Sequence, residues 1–289
     1  MNNSFYLTKD SFKEGNSSFV RLERLVYGLN KQINLIYSHS GNKILICSEV
    51  YSQWEWRGHL LGEIWQKDCE LDRDLKQVLQ RIMEKAVDID SFENSFGDTK
   101  TDQTECKGLL TLRIRPIYNP LWQVDAKEDS WYNFCLNKIS RSSISSTQFI
   151  DDCKILFDNI EILDRNYSTI TAIYDNFKNR ILHHLHGLNR FLRIAQKDSH
   201  HRNEILTRLS LLGNYDENAS TEGDATRKKD FTFRIETYNT EICCEPHIKL
   251  CKSDNPGDSQ YYFHRIYFHE GVSTLFNGKI IVGHIGEHL

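Results

Sequence analysis

Four short apolar runs within Thr232–Leu289 restrict the fold of this chain more than any other feature. They read FRIETYN from Phe233, CCEPHIKL from Cys243, YYFHRIYF from Tyr261 and KIIVGHIGEHL from Lys279. Each is rich in β-branched and aromatic residues and bounded by Gly, Pro, Asn or Asp, which predicts successive antiparallel strands. Five of the chain's twelve histidines fall within this stretch: His247, His264, His269, His284 and His288. Imidazole is the side chain that titrates unperturbed near neutral pH, so a sheet this dense in it can carry proton transfer. The plain alternative is a set of hydrogen-bonded structural histidines.

Ahead of the strands the hydrophobic period changes to that of helices. Ile170, Ile173, Phe177, Ile181, Leu185, Leu188 and Leu192 recur at spacings of three and four, which predicts one long helix. Ile205, Leu206, Leu209 and Leu212 predict a second, stopped by Gly213. The polar stretch 214–230 reads as a mobile loop. The expected C-terminal architecture is therefore a helical hairpin packed on an antiparallel sheet.

The first half is less regular. A helix is predicted over 17–37, with Leu22, Leu25, Val26, Leu29, Ile33 and Ile36 inward, then a strand over 43–50. Three tryptophans follow within twelve residues, Trp54, Trp56 and Trp65, as core packing or as a stacking platform. A helix over 72–87, a loop over 88–107 and a strand over 109–118 come next. WYNFCLNKIS and TQFIDDCKILF read as helices separated by the serine-rich RSSISS. The expectation is an α+β protein: a mixed α/β region over 1–150, then the hairpin-and-sheet region over 151–289, with the boundary between 140 and 165.

A net charge of −4 argues against indiscriminate binding to nucleic acid or membranes. There is no stretch of about 18 apolar residues, and MNNSFYLTKD lacks the layout of a signal peptide. A cytoplasmic protein without a membrane partner is expected. The eight cysteines form no CxxC pair, so reduced buried thiols are expected rather than a structural zinc site. No P-loop, GxGxxG, GxSxG or HExxH occurs, and no cofactor is expected.

One span departs from the acidic balance. Over 178–208 lie Lys178, Arg180, Arg190, Arg193, Lys197, Arg202 and Arg208, against Asp198 and Glu204 only. It reads as a solvated helix face or as a phosphate-binding surface, with Arg180, Arg190, Arg193, Lys197 and Arg202 as the RNA-binding candidates. Within it, Arg180 and His186 have a spacing similar to that of HEPN ribonucleases, which require a dimer; Asn176, Arg180 and His184 equally make an exposed polar stripe.

Helical hairpin, loop, short strands and a His-bearing tail together resemble the RelE/ParE-like toxin fold. The resemblance rests on HRIYF (264–268), on KIIVGHIGEHL (279–289) and on HIKL (247–250), and covers about 166–289. It implies a metal-independent endoribonuclease, a toxin-like effector of a bacterial stress or defence system that meets RNA or the ribosome and is restrained by an inhibitor. The matching positions imply His284 and His288 as acid and base, Arg265 and Lys249 as charge stabilisers, and Tyr267 as a positioning group. Such a shuttle implies a bell-shaped pH dependence. Strand alternation puts Arg265, Tyr267 and His269 on one face and His264 and Phe268 on the other. The rival expectations are a metal site drawing on His284, His288, Glu245 and Glu287, and a non-catalytic protein- or nucleic-acid-binding subunit of a defence complex.

Overall fold

The computed structural model describes residues 3–8, 11–12, 19–53, 55–56, 59–66, 72–89, 106–112, 123–195, 202–214, 219–222, 225–250 and 264–289. The chain is α+β and divides into two compact units, Met1–Ser143 and Ile144–Leu289.

The first unit is built on an all-parallel sheet. Its elements are β1 (Asn3–Leu7), α1 (Phe19–Ser38), β2 (Lys43–Cys47), α2 (Glu49–Gln53), the small ribbon β3 (Glu55–Trp56) and β4 (His59–Leu60), α3 (Arg73–Glu84), β5 (Val87–Ile89), β6 (Cys106–Leu110), β7 (Gln123–Val124) and α4 (Ser130–Arg141). Strand order is β5-β2-β1-β6-β7, so the winding reverses at β1. Burial explains the helices. Leu75, Val78, Leu79, Ile82 and Met83 of α3 are all buried, as their spacing predicts, and the Asp72 carboxylate caps the helix by accepting from Asp74 N at 2.9 Å. The expected loop 88–107 begins inside β5 and ends inside β6; 90–105 lie outside the described residues, as do Trp54 and most of the expected strand 109–118.

The second unit holds α5 (Ser146–Leu156), β8 (Ile160–Ile162), α6 (Asn166–Thr169), α7 (Tyr174–Ala195), α8 (Arg202–Gly213), β9 (Thr232–Ile235), β10 (Thr240–Cys243), β11 (His247–Lys249), β12 (His264–His269) and β13 (Ile280–Glu287). Its main sheet runs β11-β12-β13-β8. The first two pairings are antiparallel and the last is parallel, so the sheet is mixed at one edge. The β9–β10 hairpin stands apart from it.

The two faces of the main sheet are covered differently. His264 of β12 lies against Phe177 of α7, ring centroids 5.0 Å apart, so α7 covers the face of His264 and, by alternation, of Ile266 and Phe268. On the other face Tyr267 and Ile281 are buried in one cluster with Phe231, Phe233, Ile235, Ile242 and Cys244 of the hairpin region. The hairpin therefore roofs part of the face that carries Arg265, Tyr267 and His269. The end of that face at Lys249 and Arg265 keeps solvent access, as does His269 at the other end.

A bulge in β13 sets what points where. Tyr267 pairs with His284 and Phe268 with Val282, which leaves Gly283 without a partner. Asn166, fully buried, clamps the irregularity: its amide donates to the carbonyls of Leu163 and Val282 at 2.8 and 3.1 Å, and its oxygen accepts from Ile285 N at 2.6 Å. Within the stretch 214–230, expected to be a mobile loop, residues 219–222 and 225–230 are described and carry backbone structure. Ser220 forms an antiparallel bridge with His247, and Ala225–Phe231 is a 3-10 helix.

Candidate functional site

Cross-strand register assembles the site. His247 faces Tyr267, Lys249 faces Arg265, and Tyr267 faces His284, so these five side chains share one face of the sheet. His288 follows the end of β13 and returns to the same place, its ring 6.5 Å from that of Tyr267. All five residues expected to be catalytic are thus brought together, with His247 added. They do not stand equally near solvent.

Tyr267 is fully buried, stacked on Phe231 at 5.1 Å, and desolvation holds its phenol pKa above the ordinary value. Its oxygen accepts from Arg265 Nη1 at 3.4 Å, which ties it to that guanidinium. His284 is 4% exposed. Its Nε2–H donates to the Glu287 carbonyl at 2.9 Å, which assigns the tautomer, and Nδ1 is buried with no hydrogen-bond partner among the described residues. Burial lowers its pKa. His247 is equally enclosed. Nδ1–H donates to the Glu245 carbonyl at 3.3 Å, Nε2 accepts from the Ser220 hydroxyl at 3.1 Å, and desolvation, with Arg265 adding, pushes its pKa down to about 3.

The groups closer to solvent are Lys249, Arg265, His288 and a residue the sequence reading missed, Glu222. Arg265 Nη1 donates to Glu222 Oε2 at 3.3 Å, and His288 Nε2 stands 3.9 Å from the same oxygen. Arg265 Nε is buried and donates to no acceptor among the described residues. A buried guanidinium N–H without an acceptor is costly to leave and matches an anionic oxygen. The His288 pKa is lowered first by desolvation, then by Arg265 and by Arg227, while Glu222 opposes the shift. Both histidines of the expected shuttle are therefore neutral at pH 7, and only one of them reaches the surface.

The basic span lies elsewhere. Arg190 on α7 and Arg208 on α8 are exposed and Arg180 is half-buried. Because α7 covers the face of His264, these cations do not converge on the histidine cluster. Lys197, and the side chains of Arg193 and Arg202, lie outside what is described. Nor is Asn176–Arg180–His184 an exposed stripe, since His184 is 2% exposed and burial drives its pKa down to about 3. Among the described residues no three of His, Cys, Asp and Glu are placed to hold a metal ion. No described helix is long and apolar enough to cross a membrane. The thiols of Cys153 and Cys244 are buried and pushed up in pKa, which makes them inert.

Glu222 carried no usable signal. It lies in a polar stretch, two residues past an isolated bridge at Ser220, where no hydrophobic or strand period exists to place its carboxylate beside Arg265. No family model, no curated protein and no solved structure matches the chain.

Proposed function

We propose that the C-terminal unit is a metal-independent endoribonuclease. Arg265 and Lys249 hold the scissile phosphate, His288 transfers a proton at the surface, and Tyr267 and His284 support them from beneath. The observation that carries this reading is the Arg265 guanidinium. It is anchored by Tyr267 and Glu222, flanked across the ladder by Lys249, and keeps one buried N–H with no acceptor among the described residues. A preorganised cation pair in a partly dry setting is what a pentacoordinate phosphorane needs, because its added charge is stabilised most where water is excluded. Contact with the phosphate is assigned to this face rather than to the expected candidates Arg180, Arg190, Arg193, Lys197 and Arg202, because α7, which carries Arg180 and Arg190, covers the opposite face of the sheet.

The test is the purified protein incubated with RNA and with ribosomes, with and without EDTA, beside Arg265→Ala and His288→Ala. Cleavage that survives EDTA and falls by about 10²–10⁴ in each variant is the expected result. Loss with EDTA moves the case to a metal-dependent reaction. Equal cleavage by all three proteins makes these residues structural, and no cleavage leaves a non-catalytic subunit of a stress or defence complex, with protein or RNA partners, as the better reading.

A further inference from the structure

Cleavage of RNA without a metal needs two proton transfers. One group must take the proton of the ribose 2′-hydroxyl and another must protonate the departing 5′-oxygen. His288 can serve one of these. His284 cannot readily serve the other: it is 4% exposed and its Nε2 is committed to the Glu287 carbonyl. His247 has both ring nitrogens engaged and is as buried. Glu287 pairs with His264 and so belongs to the opposite face, and Glu245 is buried. His269 and Glu270 stand together at the far end of β12. Among the described residues, the carboxylate that faces His288 and Arg265 with solvent access is Glu222, its side chain 20% exposed against 22% for His288.

We propose that Glu222 is the general base and His288 the general acid of this site, acting on a ribonucleotide chain; the proposal rests on the endoribonuclease reading above. Glu222 takes the 2′-hydroxyl proton. The 2′-oxygen forms a bond to phosphorus, the bond from phosphorus to the 5′-oxygen breaks, and its electron pair receives the proton of His288. The products are a 2′,3′-cyclic phosphate end and a 5′-hydroxyl end. No water, metal ion or redox partner enters, and DNA, which lacks the nucleophile, is refused.

Three features fit the roles. The Arg265 N–H fixes one carboxylate oxygen at 3.3 Å, which orients the base beside the cation that will hold the phosphate. At 3.9 Å, His288 Nε2 and the carboxylate face each other without a closed hydrogen bond. Both also stand outside the rigid ladder. Glu222 follows a one-residue bridge and His288 follows the end of β13, so the gap can widen around a phosphodiester without disturbing the sheet. Around His288 the charged and titratable groups among the described residues are Arg265 and Tyr267 of β12, His247 of β11, Arg227 of the 3-10 helix, and Glu222 itself.

The experiment uses the full chain with an RNA oligonucleotide, its all-deoxy counterpart, and an RNA whose 5′-bridging oxygen at the cut site is sulfur. That leaving group departs without a proton. Glu222→Gln is expected to lose about 10²–10⁴-fold in rate on both RNAs and to lose the acid limb of the pH–rate profile. His288→Ala is expected to lose as much on normal RNA, to lose the alkaline limb, and to recover on the sulfur substrate. If wild type cleaves while Glu222→Gln matches it, the base assignment falls and the endoribonuclease reading stands. Faster cleavage by Glu222→Gln overturns it too, by making the carboxylate an anion that competes for Arg265. Recovery of Glu222→Gln on the sulfur substrate reverses the roles and overturns it as well. No cleavage by wild type removes the endoribonuclease reading, and this proposal with it.

Discussion

Replacing Gly283 by Ala should destabilise the C-terminal unit, and the structure sets how much. Gly283 is the unpaired residue of the β13 bulge, turned toward the β9–β10 hairpin. A Cβ there would stand 2.4 Å from both Cδ2 and Cε2 of Phe233 and 2.8 Å from Cys244 Sγ. Ordinary carbon contacts lie near 3.5–4.0 Å, so the methyl overlaps the ring by about an ångström. Relief is blocked. Phe233 is 5% exposed, with the Arg165 guanidinium 4.2 Å from its ring centroid on one side, and Cys244 is fully buried. Overpacking of this kind costs about 1–3 kcal/mol, and the overlap argues for the upper part of that range. The alanine restricts the unfolded chain and returns about 0.4–1 kcal/mol. The net expectation is a loss of about 2 kcal/mol, or a Tm lower by about 4–8 °C for a unit of this size. Calorimetry and urea unfolding of Gly283→Ala, Phe233→Leu and the double variant measure it. The cost of the alanine should shrink once the ring is gone. An unchanged Tm, or the same loss in both backgrounds, would refute the packing argument.

Two further outcomes follow from burial. His184 and His247 have folded pKa values pushed to about 3, and that of His284 is lowered too, against an unfolded value near 6.5. Between those limits the unfolded chain binds more protons than the folded one. The stability due to these groups is therefore whole above pH 6.5 and is lost as pH falls toward 3, by up to about 1.4 kcal/mol per pH unit for each. Unfolding free energies at pH 7 and pH 5 should show the slope, and His247→Gln should flatten it by one group's share. In the first unit, Gly28→Ala should reverse the usual preference of a helix. The substitution ordinarily gains about 1 kcal/mol, but here its Cβ would lie 2.4 Å from the Ala126 carbonyl oxygen, so a lower Tm is expected and a raised one would count against the geometry.

What could be read from the sequence was what repeats. The period of three and four from Phe177 onward and the stop at Gly213 located the hairpin, because helix burial imprints itself every turn, whereas Ile170 and Ile173, expected on the same helix, precede its start at Tyr174. Alternation on β12 placed Arg265 and Tyr267 on one face. What could not be read was set by partners distant in sequence. Strand β8 has three residues, too few for a period, and its place is given by parallel pairing with β13. The strands of the first unit are two to five residues long, so their parallel order leaves little local trace. The sequence GHIG gives no hint that His284 would be buried behind a bulge clamped by Asn166, a residue more than a hundred positions away. Nor could it show the hairpin closing over Tyr267, which leaves the face it shares with Arg265 and His269 roofed in its middle and accessible toward its ends.

That partial roof bears on the chemistry proposed. Desolvation lowers the pKa of His288, and Arg265 and Arg227 lower it further, so before substrate arrives the acid is mostly discharged at neutral pH. A phosphodiester bound at Arg265 and Lys249 would offset those same cations and favour the imidazolium, since a nearby opposite charge stabilises the charged form. The substrate would then load its own acid. On this argument the free protein and its RNA complex differ in the pKa of His288. The alkaline limb of kcat lies above that of kcat/KM, because the first reports the complex and the second the free enzyme. Arg265→Ala removes both the anchor for the phosphate and the cation that lowers the pKa, so the two limbs should draw together in that variant, however slow it is. If they stay as far apart as in wild type, the coupling between phosphate and acid does not run through Arg265.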